Sequence, residues 1–195
     1  MTRYLSCAET AKLIRAQLKA KFPGVKFSVK SSVYAGGASI DVAWVDGPTG
    51  KMVDAIVKPF EGRGFDGMID LAYSKTAFLM PDGSAVFAQT EGTADSGGVY
   101  PAGKAFKPVP EAERVHFGSN YVFTTRKCTP AFLERALVGF NRKYGDQGIV
   151  IRTSDYDGMG WADFPPTAEQ YVRVWWSDAI GKRVDVKVAK IGAAA

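Results

Sequence analysis

The chain predicts an α+β fold, with antiparallel sheet packed against two or three amphipathic helices, and three observations predict it. Segments with apolar residues at helical spacing alternate with segments of strict apolar–polar alternation. Glycine, proline and aspartate clusters punctuate them. The chain also aligns with itself: at an offset of 122 residues, Ser6–Val42 meets Cys128–Phe164 without a gap. Lys21 falls on Lys143, Ser32 on Ser154, Tyr34 on Tyr156, Gly36 on Gly158 and Asp41 on Asp163. Phe22 with Tyr144, Phe27 with Ile149, Val29 with Ile151 and Lys30 with Arg152 keep the same physical character. Each copy reads as helix, turn, strand, Tyr-x-Gly turn and strand, an internal duplication of an α-β-β unit. A surface built from two such copies suits an extended ligand.

The elements follow in order. Ser6-Cys7-Ala8-Glu9 has the hydroxyl and carboxylate of a capping box. The helix after it carries Ala11, Ile14 and Leu18 on one face and stops at Phe22-Pro23-Gly24. Val25–Lys30 alternates as a half-buried strand; after a loop from Ser31 to Gly37, Ser39–Val45 alternates again, giving a hairpin. Asp46-Gly47-Pro48-Thr49 is a turn, and Met52, Val53, Ile56, Val57 and Phe60 mark a second helix ended by Gly62 and Gly64. Thr76–Met80 and Ala85–Gln89 read as strands about the Pro81-Asp82-Gly83 turn. A Gly/Pro-rich loop at 90–113 joins halves 1–90 and 114–190 of a single domain, 1–195. A strand at Tyr121–Thr125 precedes a helix opened by Thr129 and Pro130, with Leu133, Ala136, Leu137, Phe140 and Tyr144 inward. A strand at Ile149–Thr153 and a turn at Asp155–Gly160 follow. Tyr171–Trp176 and Val184–Val188 read as a final hairpin, and 191–195 as a frayed tail.

At 195 residues, 46% hydrophobic and 23% charged, the chain suits a soluble globular domain. It has no apolar run long enough to cross a bilayer and no secretory signal in its first residues, so a cytoplasmic location is expected. Cys7 and Cys128 make neither a disulfide framework nor a zinc site, and read as buried thiols beside helix starts. Charge is unevenly spread. Residues 1–60 hold nine Lys or Arg against four acids, residues 61–113 four against eight, and residues 114–195 twelve against eight. Two basic ends flanking an acidic middle suggest a polyanion or an acidic protein partner.

Three stretches carry a family resemblance: Tyr4-Leu5-Ser6-Cys7-Ala8-Glu9-Thr10-Ala11, Tyr34-Ala35-Gly36-Gly37-Ala38-Ser39-Ile40-Asp41-Val42, and Val57-Lys58-Pro59-Phe60-Glu61-Gly62 continuing through Gly64-Phe65-Asp66-Gly67-Met68-Ile69-Asp70-Leu71. Over about residues 3 to 125 the chain resembles the large polyvalent protein-associated domain 29 type. The resemblance implies a phage or conjugative-plasmid setting and a part in conflict with the host. It implies no catalytic residues, because the family has none assigned.

The candidate binding residues are cations with aromatics nearby, as phosphate neutralisation and base stacking require. Lys12, Arg15 and Lys19 share an arc of the first helix, and Lys26 and Lys30 line the next strand. Arg135, Arg142, Lys143 and Arg152 are their counterparts in the second copy, and Tyr34 and Tyr156 are the stacking candidates. Gly36-Gly37 reads as a hairpin turn, since no helix follows to make a phosphate loop. Phe65-Asp66-Gly67-Met68 and Tyr156-Asp157-Gly158-Met159 echo each other at a different offset, 91, as turns. Asp155-Tyr156-Asp157-Gly158 opens like a calcium loop, but Met159 and Pro166 stand where oxygen ligands belong. The single histidine, His116, sits in an apparent strand edge, and paired acids such as Asp66 and Asp70 lack an opposing partner. No catalytic residue, cofactor or metal is expected. The leading expectation is a non-enzymatic protein that binds and blocks a host defence component, of the anti-CRISPR or anti-restriction kind, with Tyr171, Trp175 and Trp176 as exposed aromatic surface. The alternative is a nucleic-acid-binding accessory that protects or organises the element's DNA. A weaker third is an enzyme using Asp66, His116 and Asp157. No membrane partner is expected, and the edge of the C-terminal hairpin suits a homodimer.

Overall fold

The computed structural model describes residues 2–67, 70–87 and 111–192. The loop read at 90–113, up to residue 110, the end of the strand read at Ala85–Gln89, and the last residues of the tail lie outside them. The fold is α+β. In chain order the elements are β1 (Arg3–Leu5), α1 (Cys7–Lys21), β2 (Phe27–Tyr34), β3 (Gly37–Val45), α2 (Gly50–Val57) with a 3-10 turn at Lys58–Phe60, β4 (Arg63–Asp66) and β5 (Leu71–Ser74). They continue as β6 (Ala77–Leu79), β7 (Ala85–Phe87), β8 (Glu113–Phe117), β9 (Tyr121–Lys127), α3 (Pro130–Tyr144), β10 (Val150–Thr153), β11 (Gly160–Asp163) and α4 (Gln170–Gly192). Two compact units result. The first holds the chain up to Val42 and Lys51–Thr125; the second holds Ala43–Gly50 and the chain from Arg126 onward.

In the first unit, α1 starts where its side chains satisfy its own free amides. The Ser6 hydroxyl accepts from the Glu9 amide, and the Glu9 carboxylate accepts from the Ser6 amide at 2.8 Å and its hydroxyl at 2.6 Å. Those bonds hold the Glu9 carboxyl below the usual carboxylate range. Ala11, Ile14 and Leu18 are fully buried, as their spacing predicts. The four-stranded sheet runs β1-β8-β6-β7, with β1 parallel to β8 and the other pairs antiparallel. Leu5, Ala77, Ala85, Val115 and Phe117 are its buried residues, while Arg3 and Glu113 on the same face are exposed and form an ion pair. β4 and β5 form a separate hairpin, and β2-β3-β9 a three-stranded sheet. The sequence reading did not anticipate β1 or the β4–β5 hairpin, which are too short to show a period.

The second unit repeats the local plan. Like α1, α3 spans fifteen residues. Its buried positions Leu133, Ala136 and Phe140 match Ala11, Ile14 and Leu18 at the 122-residue offset. The strand turns match as well, with Gly36 at φ +87° and Gly158 at φ +67°. Around α3 the core gathers Leu133, Ala136, Phe140, Ile149, Val172 and Trp176. The start of α3 is tied to the segment 43–50. The Asp46 carboxylate accepts from the Thr129 amide at 2.7 Å and its hydroxyl at 2.9 Å, while the Thr129 hydroxyl caps the Phe132 amide. Asp46 holds a positive φ of 56° to do this. Asp46→Ala loses both charged bonds and leaves a Cβ residue in left-handed backbone, a cost of about 2 kcal/mol. All four tryptophans (Trp44, Trp161, Trp175 and Trp176) belong to the second unit. A urea titration followed by their fluorescence therefore measures this loss directly, and a shift below about 0.5 kcal/mol contradicts the tie.

Three expectations are corrected. The C-terminal hairpin at Tyr171–Trp176 and Val184–Val188 is instead one helix, α4, so the hairpin edge that suggested a dimer is absent. The strand expected at Val25–Lys30 is β2, which starts later and runs further, through residues expected to be loop, and only Val29 of it is buried. His116 lies on β8, an inner strand between β1 and β6, not on an edge.

Candidate binding surface and cleft

The first-unit cations gather on α1 and β2, which pack together. Lys12, Arg15 and Lys19 are all exposed on α1, as are Lys26, just before β2, and Lys30 within it. Arg15 is partly committed, because its guanidinium donates to the Val29 carbonyl at 2.6 Å and pins helix to strand. β2 is an outer strand of its sheet. Its second half, Lys30 to Tyr34, is exposed on both faces, with Val33 at 79% and Tyr34 at 49%. The turn after it needs the positive φ of Gly36. Glu9 is the one acid between Cys7 and Tyr34, and Ser6 already engages it.

The second-unit residues are more nearly neutralised. Arg135, Arg142 and Lys143 are exposed on α3, but the Lys143 ammonium sits 4.7 Å from the centre of the Tyr144 ring. Tyr144 in turn stacks on Trp175 at 4.5 Å, nearly coplanar. Arg152 pairs with Asp163, and Lys127 with Asp157 at 2.7 Å. Tyr156 projects at 95% exposure from the β10–β11 turn. Of the aromatic surface expected on α4, Tyr171 is 47% exposed, Trp175 is partly covered, and Trp176 is buried at 5%, edge-on to Phe140. Trp176 belongs to the core.

The sequence reading missed a cleft of about 270 Å³ in the first unit, lined by Tyr4, Arg63, Tyr73, Ser74, His116 and Asn120 among others. Tyr4 and His116 are register partners on the parallel pair β1–β8, and their rings stack at 5.7 Å. Arg63 and Ser74 face each other across the β4–β5 hairpin. Beside them, Gly64 leaves the space that the Tyr73 ring fills. Parallel pairing joins residues far apart in sequence, so no local motif announces this cleft.

Asp157 and the two cysteines are engaged in ways that do not suit acid–base or covalent work. The hydrogen bond from the Lys127 ammonium, with a second from the Met159 amide, holds the Asp157 carboxyl below its usual range. Burial pushes the Cys7 and Cys128 thiols up, so both stay protonated at neutral pH. Cys7 is buried and Cys128 partly so. Among the described residues no three of His, Cys, Asp and Glu are placed to hold a metal ion, and no helix is long and apolar enough to cross a membrane.

No curated protein and no solved structure matches the chain. The family described as large polyvalent protein associated domain 29 matches residues 5–129, from the end of β1 to the N-cap of α3. The chain belongs to that family, and with it to proteins associated with phages and mobile elements.

Proposed function

We propose that the protein works by binding: its α1–β2 face occupies an acidic surface of a host defence component in the host cytoplasm and blocks it. The observation that carries this reading is the exposed outer strand β2 beside Lys12, Lys19, Lys26 and Lys30. A two-sided exposed edge offers backbone donors and acceptors to a partner, and the unbalanced cations select an acidic one. A host protein captured in stoichiometric amount by the wild type is expected to be lost when Lys12, Lys19 and Lys30 are all changed to Glu. Arg15 is left intact in that variant because it braces β2. Equal capture by both forms removes the face from the function.

A second reading, a nucleic-acid-binding accessory for the element's DNA, draws on a different observation. Tyr34 and Tyr156 are both exposed, at 49% and 95%, next to the glycine turns at Gly36 and Gly158. Anisotropy with labelled single- and double-stranded DNA and RNA, at about 50 and 200 mM salt, separates the two. Binding that falls steeply with salt supports this reading; no binding at the lower salt rejects it.

A further inference from the structure

The outer face of the four-stranded sheet is built differently from its core face. Tyr4 on β1 and His116 on β8 are register partners there, and Arg114, two residues before His116, shares their face. Phe78 of β6 lies opposite Arg114. Tyr4 is 64% exposed. Its hydroxyl lies over Gly118, where a Cβ would overlap it. The ring is therefore backed on one side by His116 and by a residue with no side chain, an arrangement that fixes an aromatic plane at the mouth of the cleft. The β4–β5 hairpin supplies the other wall, with the exposed Arg63 directly across from Ser74. Among the described residues neither Arg63 nor Arg114 is in an ion pair.

His116 adds a defined polarity. Its Nδ1 lies 2.8 Å from the Lys75 carbonyl oxygen. A carbonyl can only accept, so Nδ1 carries a proton and donates it. The cleft thus combines a stacking plane, an imidazole, hydroxyl and amide groups from Ser74 and Asn120, and a guanidinium. Its volume of about 270 Å³ lies just below the usual span of ligand sites, about 300 to 1,000 Å³. That suits a ligand, or part of one, no larger than a single nucleotide.

We propose that this cleft binds one nucleotide unit, with the base stacked on Tyr4 and the phosphate held by Arg63. The aromatics on an open sheet face serve as a platform for the base, as sheet-based readers of single strands use theirs. The guanidinium meets the phosphate in a forked, charge-assisted geometry. The unit is either a free nucleoside monophosphate or one residue of a single strand.

Isothermal titration of the full chain with the four nucleoside monophosphates, the four homo-hexanucleotides, the matching nucleosides and inorganic phosphate tests this. At least one monophosphate or hexamer is expected to bind more tightly than its nucleoside or phosphate alone. Tyr4→Ala and Arg63→Ala are each expected to weaken it by about tenfold, and Tyr4→Phe to leave it within about twofold. Both positions are exposed, and circular dichroism checks that the variants stay folded. Equal affinity for monomer and hexamer identifies a free nucleotide; a much tighter hexamer identifies a strand. Changing Lys12, Lys19 and Lys30 to Glu is expected to leave monophosphate binding unchanged, which keeps this site's failure distinct from that of the α1–β2 face. The proposal is overturned if no monophosphate or hexamer binds at millimolar concentration, if phosphate alone binds as well as the nucleotide, or if Tyr4→Ala and Arg63→Ala both leave binding unchanged.

Discussion

Glu61→Ala is expected to cost the first unit about 3–5 kcal/mol, the range for breaking a buried ionic network from one side. Glu61 is only 9% exposed. Its Oε1 accepts from the Lys58 ammonium at 2.9 Å and from the Val122 amide at 3.0 Å, and its Oε2 lies 3.5 Å from the Lys75 ammonium. Lys58 also donates to the Val122 carbonyl at 2.7 Å, so a single carboxylate organises both polar groups of a residue on β9. Removing it strands the largely covered Lys75 ammonium and leaves a buried amide without an acceptor. Glu61→Gln keeps an acceptor for that amide and drops the charge, and about 2 kcal/mol is expected. Because the first unit contains no tryptophan, the measurement is amide exchange at Val115 and Phe117 on β8. A cost for Glu61→Ala below about 1 kcal/mol would show the network to be a solvated surface pair.

This network gives the Lys58-Pro59-Phe60-Glu61-Gly62 stretch a physical meaning that its sequence alone does not. Phe60 is fully buried against Phe117, with ring centres at 5.0 Å. Its carbonyl accepts from the Ser119 hydroxyl, and the Gly62 amide donates to the Ser119 carbonyl. A Cβ on Gly62 would overlap the Phe117 carbonyl oxygen, so only glycine lets the strand pass there. A resemblance carried by these residues reports how the first unit is locked together, and says little about what it binds.

Local signals were legible where one element is large enough to show its own period. The capping box at Ser6 and Glu9, the buried stripes of α1 and α3, and the glycine turns after β2 and β10 all stand where the spacing puts them. The likeness of α1 and α3 was legible for the same reason, since both keep the spacing of buried positions although few residues are identical. Non-local features were not. The parallel β1–β8 pair, the Asp46 clasp on Thr129 and the Tyr4–His116 cleft each join residues some eighty or more positions apart. Of the candidate cations, the sequence could place Lys12, Arg15 and Lys19 on one helical arc. It could not show that Arg15 spends its guanidinium on β2, or that Asp163 and Asp157 offset Arg152 and Lys127.

Trp176→Ala is expected to cost the second unit about 3–5 kcal/mol, the range for emptying a buried tryptophan site, and its neighbour Val174 decides why. The run Tyr171-Val172-Arg173-Val174-Trp175-Trp176 is rich in β-branched and aromatic residues and alternates well enough to read as a strand. A strand would bury Val172, Val174 and Trp176 on one face. A helix buries Val172 and Trp176, four residues apart, turns Ala179 and Ile180 towards the same core, and leaves Val174 outside. Val172 and Trp176 are 3% and 5% exposed, while Val174 is 53% exposed. Local propensity favours the strand; the apolar positions that continue at helical spacing through Ile180, packed on Phe140 and Leu137 of α3, favour the helix and win. Val174→Asp is therefore expected to change stability by less than about 0.5 kcal/mol, whereas Val172→Asp buries a charge with no partner and unfolds the unit. Urea titrations read by the fluorescence of Trp44 and Trp175 make the comparison. Equal, severe losses from Val172→Asp and Val174→Asp would be the signature of a strand, and would overturn α4 and the core built on it.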